Sequence, residues 1–403
     1  MRISTLQIFN IANNSIRDAS NAIAKTQQQL SSGQRIQTAA DDPVSAAKSL
    51  ELEHSLSRIE QYGKNINLAE NSLSLQETTL DSITNLLQRV RELAVGAGNT
   101  ATLNPEDYDN LATEVNSRIG ELQDLMNSRN SSGDYIFAGY KGNQQPFVGT
   151  PISGFEFQGS EGSLHMKVSE STSVAAADSG KDIFWNIPAA QNSMRTSTHA
   201  ATANISIGQI VDQEAYDEFY PKDMAITYNN DGSLSITERF TNPAVSVLEI
   251  SNYTMGDEII VNGVSVRLSG TPADGDQFFI DSSSTQDILT TLSRFSAAMT
   301  AYDGSDDSKA ALTAMVADTL SNIDNTEAVM GKTTASLGAR FNTLESMREQ
   351  HLDSKLYTDE ILSEIRDLNY AEAATRLAAQ SLILDAAQAS FMRVSQLTLF
   401  NRM

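Results

Sequence analysis

The chain has 403 residues, with 28 Lys and Arg against 51 Asp and Glu, a formal charge of −23, and no cysteine. The acidic balance argues against a nucleic-acid binder, which needs clustered basic side chains, and the lack of cysteine removes disulfides, thiolate metal sites and thiol nucleophiles. No apolar run approaches the ~20 residues of a membrane span, and Met1-Arg2-Ile3-Ser4-Thr5-Leu6 lacks the unbroken apolar stretch of a cleavable signal peptide.

Near the N-terminus Phe9, Ala12, Ile16, Ala19, Ile23, Thr26 and Leu30 recur at alternating spacings of three and four. That spacing predicts a helix with one narrow apolar stripe, the seam of a coiled coil. Gly33 supplies its left-handed stop. A second helix is expected from Asp42 as N-cap and Pro43 at its first position. Its stripe is Leu52, Ile59, Ile66, Leu73, Leu80, Leu87 and Ala94, each seven apart. Running from Pro43 to about Val95, it would be roughly 80 Å long. Gly63 interrupts it, and Gly96-Ala97-Gly98-Asn99 ends it. A third helix begins near Asn104-Pro105 and carries Leu111, Val115, Ile119, Leu122 and Met126. Gly133-Asp134 then leads into an aromatic, strand-like run, Tyr135-Ile136-Phe137.

From about Lys141 the texture changes to period-two alternation (Leu164, Met166, Val168) and frequent turn residues. Two hairpins are predicted. Asn229 to Gly232 joins Met224/Ile226/Tyr228 to Leu234/Ile236, and Asn262-Gly263 joins Ile259–Val261 to Val264/Val266/Leu268. Near Ser284 the helical period returns with Ile288, Leu292 and Phe295. It continues through Leu312, Val316, Thr319 and Ile323, then Leu337, Phe341, Leu344 and His351. A last helix repeats the opening seam with Leu377, Gln380, Leu384, Ala387, Phe391 and Val394.

The expected fold is therefore mainly α, with an inserted β-rich domain. Both chain ends would build a long, discontinuous antiparallel helical bundle or coiled coil. Residues 1–40 with 366–403 form the terminal coiled-coil helices, and 41–141 with 284–365 form a helical rod carrying a short β-hairpin. Residues 142–283 form the outer insert. A narrow two-helix seam containing Ala12, Ala19, Thr26 and Gln380 buries little apolar surface. The ends are thus expected to become firm only when neighbouring copies cover them. The expected assembly residues are Phe9, Ile16, Ile23, Leu30, Leu377, Leu384, Phe391 and Val394, with Gly33, Asp41, Asp42 and Pro43 at the turn between terminal helix and rod.

Several patterns imitate chemistry. Gly331-Lys332-Thr333-Thr334 resembles the end of a P-loop, but the upstream glycine position is Thr326 and no strand precedes it. Gly96-Ala97-Gly98 follows a helix and lacks a third glycine. Thr227, Asn229, Asp231, Gly232 and Glu238 fall near calcium-loop positions, yet strands flank them and Thr stands first. His54, His165, His199 and His351 form no i,i+4 pair, and His351 reads as a half-buried stripe residue. No catalytic, cofactor-binding or metal-ligating set is expected.

Leu30-Ser31-Ser32-Gly33-Gln34-Arg35-Ile36, with Ala39-Ala40-Asp41-Asp42-Pro43, resembles the N-terminal signature of bacterial flagellins. Leu87-Gln88-Arg89-Val90-Arg91-Glu92-Leu93-Ala94 is similar to the following flagellin helix, and the C-terminal heptads match in placement. Where flagellins show Phe-Asn-Gly after the third helix, this chain reads Gly133-Asp134-Tyr135-Ile136-Phe137-Ala138-Gly139-Tyr140, which resembles the hook-associated branch of the family. The resemblance implies a non-enzymatic structural part of the extracellular flagellum. It would be exported without a cleaved signal peptide, monomeric in solution and ring-forming on assembly. The implied partners are further copies of the chain, hook-associated protein 1, flagellin and an export chaperone, with no nucleic acid and no membrane. A filament subunit is the nearest alternative. A secreted coiled-coil adhesin or translocator, or an enzyme on a flagellin-like scaffold, is more distant.

Overall fold

The computed structural model describes residues 5–99, 103–241, 243 and 245–400, and the side chains of residues 5, 6, 8 and 394–400 lie outside that description. Three helices open the chain: α1 (Thr5–Ser32), α2 (Pro43–Ala97) and α3 (Pro105–Met126). Thirteen strands follow among the described residues. They are β1 (Phe147–Thr150), β2 (Gly154–Phe157), β3 (Leu164–Lys167), β4 (Ser173–Ala177), β5 (Ile187–Thr198), β6 (Ala203–Ile205) and β7 (Gln209–Ile210), then β8 (Met224–Tyr228), β9 (Leu234–Glu238), β10 (Val245–Ile250), β11 (Glu258–Val261), β12 (Val264–Gly270) and β13 (Gln277–Gln286). A π-helical turn, Lys181–Trp185, and a short helix, α4 (Gln213–Phe219), interrupt them. The chain closes with α5 (Ile288–Thr300), α6 (Asp306–Arg366) and α7 (Tyr370–Phe400). It forms two compact units, Met1–Lys64 with Ser346–Met403, and Asn65–Glu345.

In the unit Asn65–Glu345 the buried residues recur with helical spacing. On α2 they include Ile66, Ala69, Leu73, Leu80, Ile83, Leu87, Val90 and Ala94, and on α3 Tyr108, Ala112, Val115, Ile119, Leu122 and Met126. On α6 they include Leu312, Val316, Thr319, Ile323, Met330, Leu337 and Leu344. The three-four-seven spacing in the sequence is thus a burial stripe. Helix α3 starts where the sequence says it should. Asn104 accepts from the Asp107 amide, Asp107 answers to the Asn104 amide, and Pro105 follows at the first position. The Ser296 hydroxyl of α5 donates to the Ala112 carbonyl of α3 at 3.3 Å.

The sheets are antiparallel throughout. One runs β10-β9-β8-β13-β5, a second runs β11-β12-β6 with β7 also on β12, and β1-β2 and β3-β4 are separate pairs. Both predicted hairpins are present, with Tyr228 opposite Leu234 and Val261 opposite Val264. Asn262 (φ 46°) and Gly263 (φ 75°) take the left-handed pair that a two-residue turn of this hand requires. Met194, Ile226, Ile236, Val264, Leu268 and Phe278 are among the residues of the core between the two larger sheets.

Arg294 of α5 ties the helical and β parts of this unit together. Its guanidinium is fully buried and donates to the carbonyls of Gly208 and Met194, to the Ser193 hydroxyl and to Gln286 Oε1, at 2.7–3.0 Å. On α6, Arg340 makes a two-pronged contact with Asp178, both bonds at 2.8 Å.

Three local expectations change. Tyr135-Ile136-Phe137 is not a strand. Tyr135 makes a single bridge to Arg129, while Ile136 and Phe137 turn inward, Phe137 edge-on to Phe184 at 5.0 Å. The short hairpin of this region is β1-β2 instead. Helical structure resumes at Ile288 rather than near Ser284, because β13 continues to Gln286 and Asp287 caps α5 through the Thr290 amide. The π-helical turn and α4 carry too few residues for a period to register.

Candidate assembly surface

The unit Met1–Lys64 with Ser346–Met403 contains the residues singled out as assembly contacts. Helices α1 and α7 lie side by side: Thr26 Oγ1 donates to Gln380 Oε1 at 2.8 Å, and the Phe9 and Phe391 rings are 5.1 Å apart. Lower numbers on α1 meet higher numbers on α7, so the two helices run in opposite directions. Ile16, Ile23 and Leu30 on α1, and Leu377, Leu384 and Phe391 on α7, are all half-buried. Phe9 is more open, at 45% exposed. Val394 belongs to α7, but its side chain lies outside the described residues.

The seam is poorly filled for its length. Among the described side chains of α1, those that reach burial are Thr26 and Gln29, both polar. Apolar side chains meanwhile point away from it: Ile11 on α1, and Leu382 (71% exposed), Ile383 (60%) and Met392 on α7. The heptad reading of the sequence does not find these residues, because it scores one stripe per helix. The signal that would find them is the apolar triplet Leu382-Ile383-Leu384, which is too wide for one stripe.

The turn residues are brought together at the inner end of the seam. Gly33 adopts φ 73°, and a Cβ there would meet the Tyr370 hydroxyl at 2.9 Å. Its amide closes α1 on the Gln29 carbonyl at 2.9 Å, and its own carbonyl accepts from the Leu368 amide at 2.9 Å. The Arg35 amide donates to the Arg366 carbonyl at 2.7 Å, and the Arg35 guanidinium donates twice to the Ile365 carbonyl. The loop after α1 thereby supplies donors to the C-terminal carbonyls of α6, which helix geometry leaves unpaired. Leu368 and Ala373 are buried beside it.

Asp41 forms an ion pair with Lys25 at 2.5 Å and accepts from the amides of Gln37 and Thr38. The Lys25 hydrogen bond, followed by those from Thr38 and Gln37, lowers its carboxyl pKa to about 2. Asp42 accepts from the Ser45 amide at 3.1 Å, the N-cap geometry expected, and the Ser45 side chain, followed by that amide, lowers its carboxyl pKa. Pro43 follows, exposed, at the first position of α2.

The imitative motifs resolve into ordinary structure. Gly331-Lys332-Thr333 lies inside α6. The Asn229–Gly232 loop is a hairpin turn, its Asp231 carboxylate held by the Ser233 amide and its Asn229 amide by the Ser233 and Ser235 hydroxyls. His351 stacks on Tyr62, with centroids 5.5 Å apart. Among the described residues no group of three or more His, Asp or Glu side chains is placed to hold a metal ion. No described helix is long and apolar enough to cross a membrane.

Alongside these long helices with burial stripes, the β-rich insert and the glycine-stopped first helix joined to an Asp-Asp-Pro cap, residues 3–142 match the bacterial flagellin N-terminal helical region. The chain is 32% identical over 187 residues to the flagellar hook-associated protein 3 of Salmonella typhimurium, an alignment covering 46% of this chain and 58% of that one. The chain therefore spans little more than half the length of this curated relative. A solved flagellar hook-associated protein 3 from Legionella pneumophila is 26% identical, with a TM-score of 0.54 over 78% of this chain and 98% of that one. A second solved structure, described as the flagellar junction protein FlgL from the same organism, is 26% identical with a TM-score of 0.50, over 79% and 100% of the two chains.

Proposed function

We propose that this chain is a structural, non-enzymatic component of the bacterial flagellum. It forms the junction layer between the hook, reached through hook-associated protein 1, and the flagellin filament. The reading draws on the names of the relatives, but one observation carries it. Helices α1 and α7 bury polar Thr26 at their seam, bonded to Gln380, while leaving Ile11, Leu382, Ile383 and Met392 uncovered. Apolar surface of that kind marks a contact to be made.

On this reading the helices form a long, discontinuous antiparallel bundle. Residues 1–40 with 366–403 are its assembly part, 41–141 with 284–365 its rod, and 142–283 its outer insert. The chain is exported without a cleaved signal peptide in the company of a chaperone, stays monomeric in solution, and closes into a ring when copies meet. Seam residues Ile16, Ile23, Leu30, Leu377, Leu384 and Phe391 set how α1 and α7 pair, and the outward apolar residues make the contact between copies. Deleting the gene from its host and imaging the cells tests the role. The expected result is hooks without filaments, with flagellin shed into the medium; intact filaments refute it.

The match to the flagellin N-terminal region itself favours a second reading, a filament subunit. Purified chain offered to filament seeds separates the two, since a subunit extends them at length and a junction protein adds at most a short layer.

A further inference from the structure

The β insert holds a cavity of about 340 Å³ that the assembly role does not use. Strand β2, the π-helical turn, strand β5 and the start of α5 wall it, contributing Phe155, Glu156, Trp185, Arg195, Thr196 and Asp287. Small-molecule sites commonly fall between about 300 and 1,000 Å³ and combine aromatic faces with a few convergent polar groups. This cavity has both.

Of the charged residues that line it, Lys181 pairs with Glu161, Asp281 pairs with Arg239 and Glu156 is exposed, so Arg195 and Asp287 decide what it takes. Asp287 is fully buried, and one of its carboxylate oxygens accepts from the Thr290 amide at 2.7 Å. The guanidinium of Arg195 lies 5.1 Å from the centre of the Trp185 ring, and its Nη2 donates to the Trp185 carbonyl and to the Thr285 hydroxyl. Arg195 Nε is buried without a partner. A buried donor left in that state calls for an explanation. Arg195 and Asp287 feel each other's field, yet no hydrogen bond joins them among the described residues.

A carboxylate ligand entering here would meet the charge of Asp287, and an ammonium would meet that of Arg195. A hydroxyl suits both, because it donates to the carboxylate and accepts from the guanidinium. Neighbouring hydroxyls on a sugar ring would do so in pairs, with the ring's C–H face against Trp185 and Phe155. We propose that this cavity binds a neutral saccharide of one or two rings, held between Arg195 and Asp287 with Trp185 as an aromatic wall.

Trp185 is the chain's single tryptophan, so its emission reports on this cavity alone. The full-length chain is titrated with methyl glucoside, methyl galactoside and maltose, with glucuronate and glycine as charged comparators. At least one neutral sugar should shift the emission saturably in the millimolar range, and neither charged compound should match it. Asp287→Asn keeps the helix cap, since Asn caps as well as Asp. Loss of the charge-assisted hydrogen bond should weaken binding by about ten- to a hundredfold. Should that variant fail to fold by circular dichroism, Arg195→Gln, which removes the other charged group that holds the sugar, takes its place, and weaker binding is again expected. A flat response to all three neutral sugars overturns the proposal. So does a stronger response to glucuronate or glycine, or unchanged affinity in the folded variant.

Discussion

Replacing Leu382 and Ile383 together by Ala separates the two roles an apolar side chain on α7 can have. Both residues are largely uncovered in the single chain, at 71% and 60% exposed. Ala retains helix propensity, and exposed substitutions of this kind change stability by only about 0.5 kcal/mol. The monomer's thermal unfolding, followed by circular dichroism, should therefore stay within a few degrees of the parent. Assembly is different. Full burial of a Leu or Ile contributes roughly 1.5–3 kcal/mol, so covering the open two-thirds of each gives about 2–4 kcal/mol per subunit for the pair. Losing most of that weakens each contact by roughly 30- to 1,000-fold. A host strain lacking the gene and carrying the double variant should swim poorly and show few filaments by electron microscopy. Normal swimming and filament counts would mean that this face of α7 makes no contact. A sharp fall in the monomer's melting temperature would mean that the two residues hold the chain's own fold.

Three further expectations concern the interior. Arg294→Met should destabilise the unit Asn65–Glu345 by about 3–5 kcal/mol, because it strands several buried acceptors, among them the carbonyls of Gly208 and Met194. Denaturant unfolding reads this, and a loss under 1 kcal/mol would contradict the clamp. The Asp41 carboxyl has a folded value of about 2 against 3.8 ordinarily, so its contribution is complete above the higher value and is lost as pH falls toward the lower. Amide exchange at Gln37 and Thr38 should rise across that window in the parent and already be high in Asp41→Asn. Gly33→Ala forces a side chain into left-handed backbone, at about 1–2 kcal/mol, and into the Tyr370 hydroxyl. Adding Tyr370→Phe should recover the second part but not the first, as judged by thermal unfolding.

The long elements were legible because their burial is periodic. Ile66, Leu73, Leu80 and Leu87 are seven apart in the sequence and fully buried in the structure, and no other arrangement of a helix hides all of them at once. Turn chemistry was legible for the same local reason: Asn262-Gly263 and Asn104-Pro105 each state a backbone conformation outright. What stayed hidden depends on distant partners. Tyr135-Ile136-Phe137 has the composition of a strand, but nothing in those residues says that Phe137 will meet Phe184 instead of a neighbouring strand. The half-burial of Ile16, Ile23, Leu30, Leu377, Leu384 and Phe391 was not legible, since exposure is set by the facing helix. The outward residues of α7 were missed because Leu382 and Ile383 sit off the stripe.

The polar core of the α1–α7 seam has a physical consequence. Thr26 and Gln380 occupy stripe positions where an apolar pair would hold the helices more firmly, and they meet at 2.8 Å. A polar pair at such a position costs stability but favours one alignment, because slipping one helix past the other breaks the bond to Gln380 and leaves Thr26 only the Ala22 carbonyl of its own helix. That choice suits a surface still to be covered. If α1 and α7 bound each other tightly through a wide apolar seam, Leu382 and Ile383 would have been drawn into it, and the chain would have nothing left for a neighbour. Replacing Thr26 and Gln380 by Val and Leu should therefore stabilise the isolated chain while making the helix alignment less specific. Melting temperature should rise, and motility in the complemented strain should fall. A rise in both would show that the polar pair has no role in alignment.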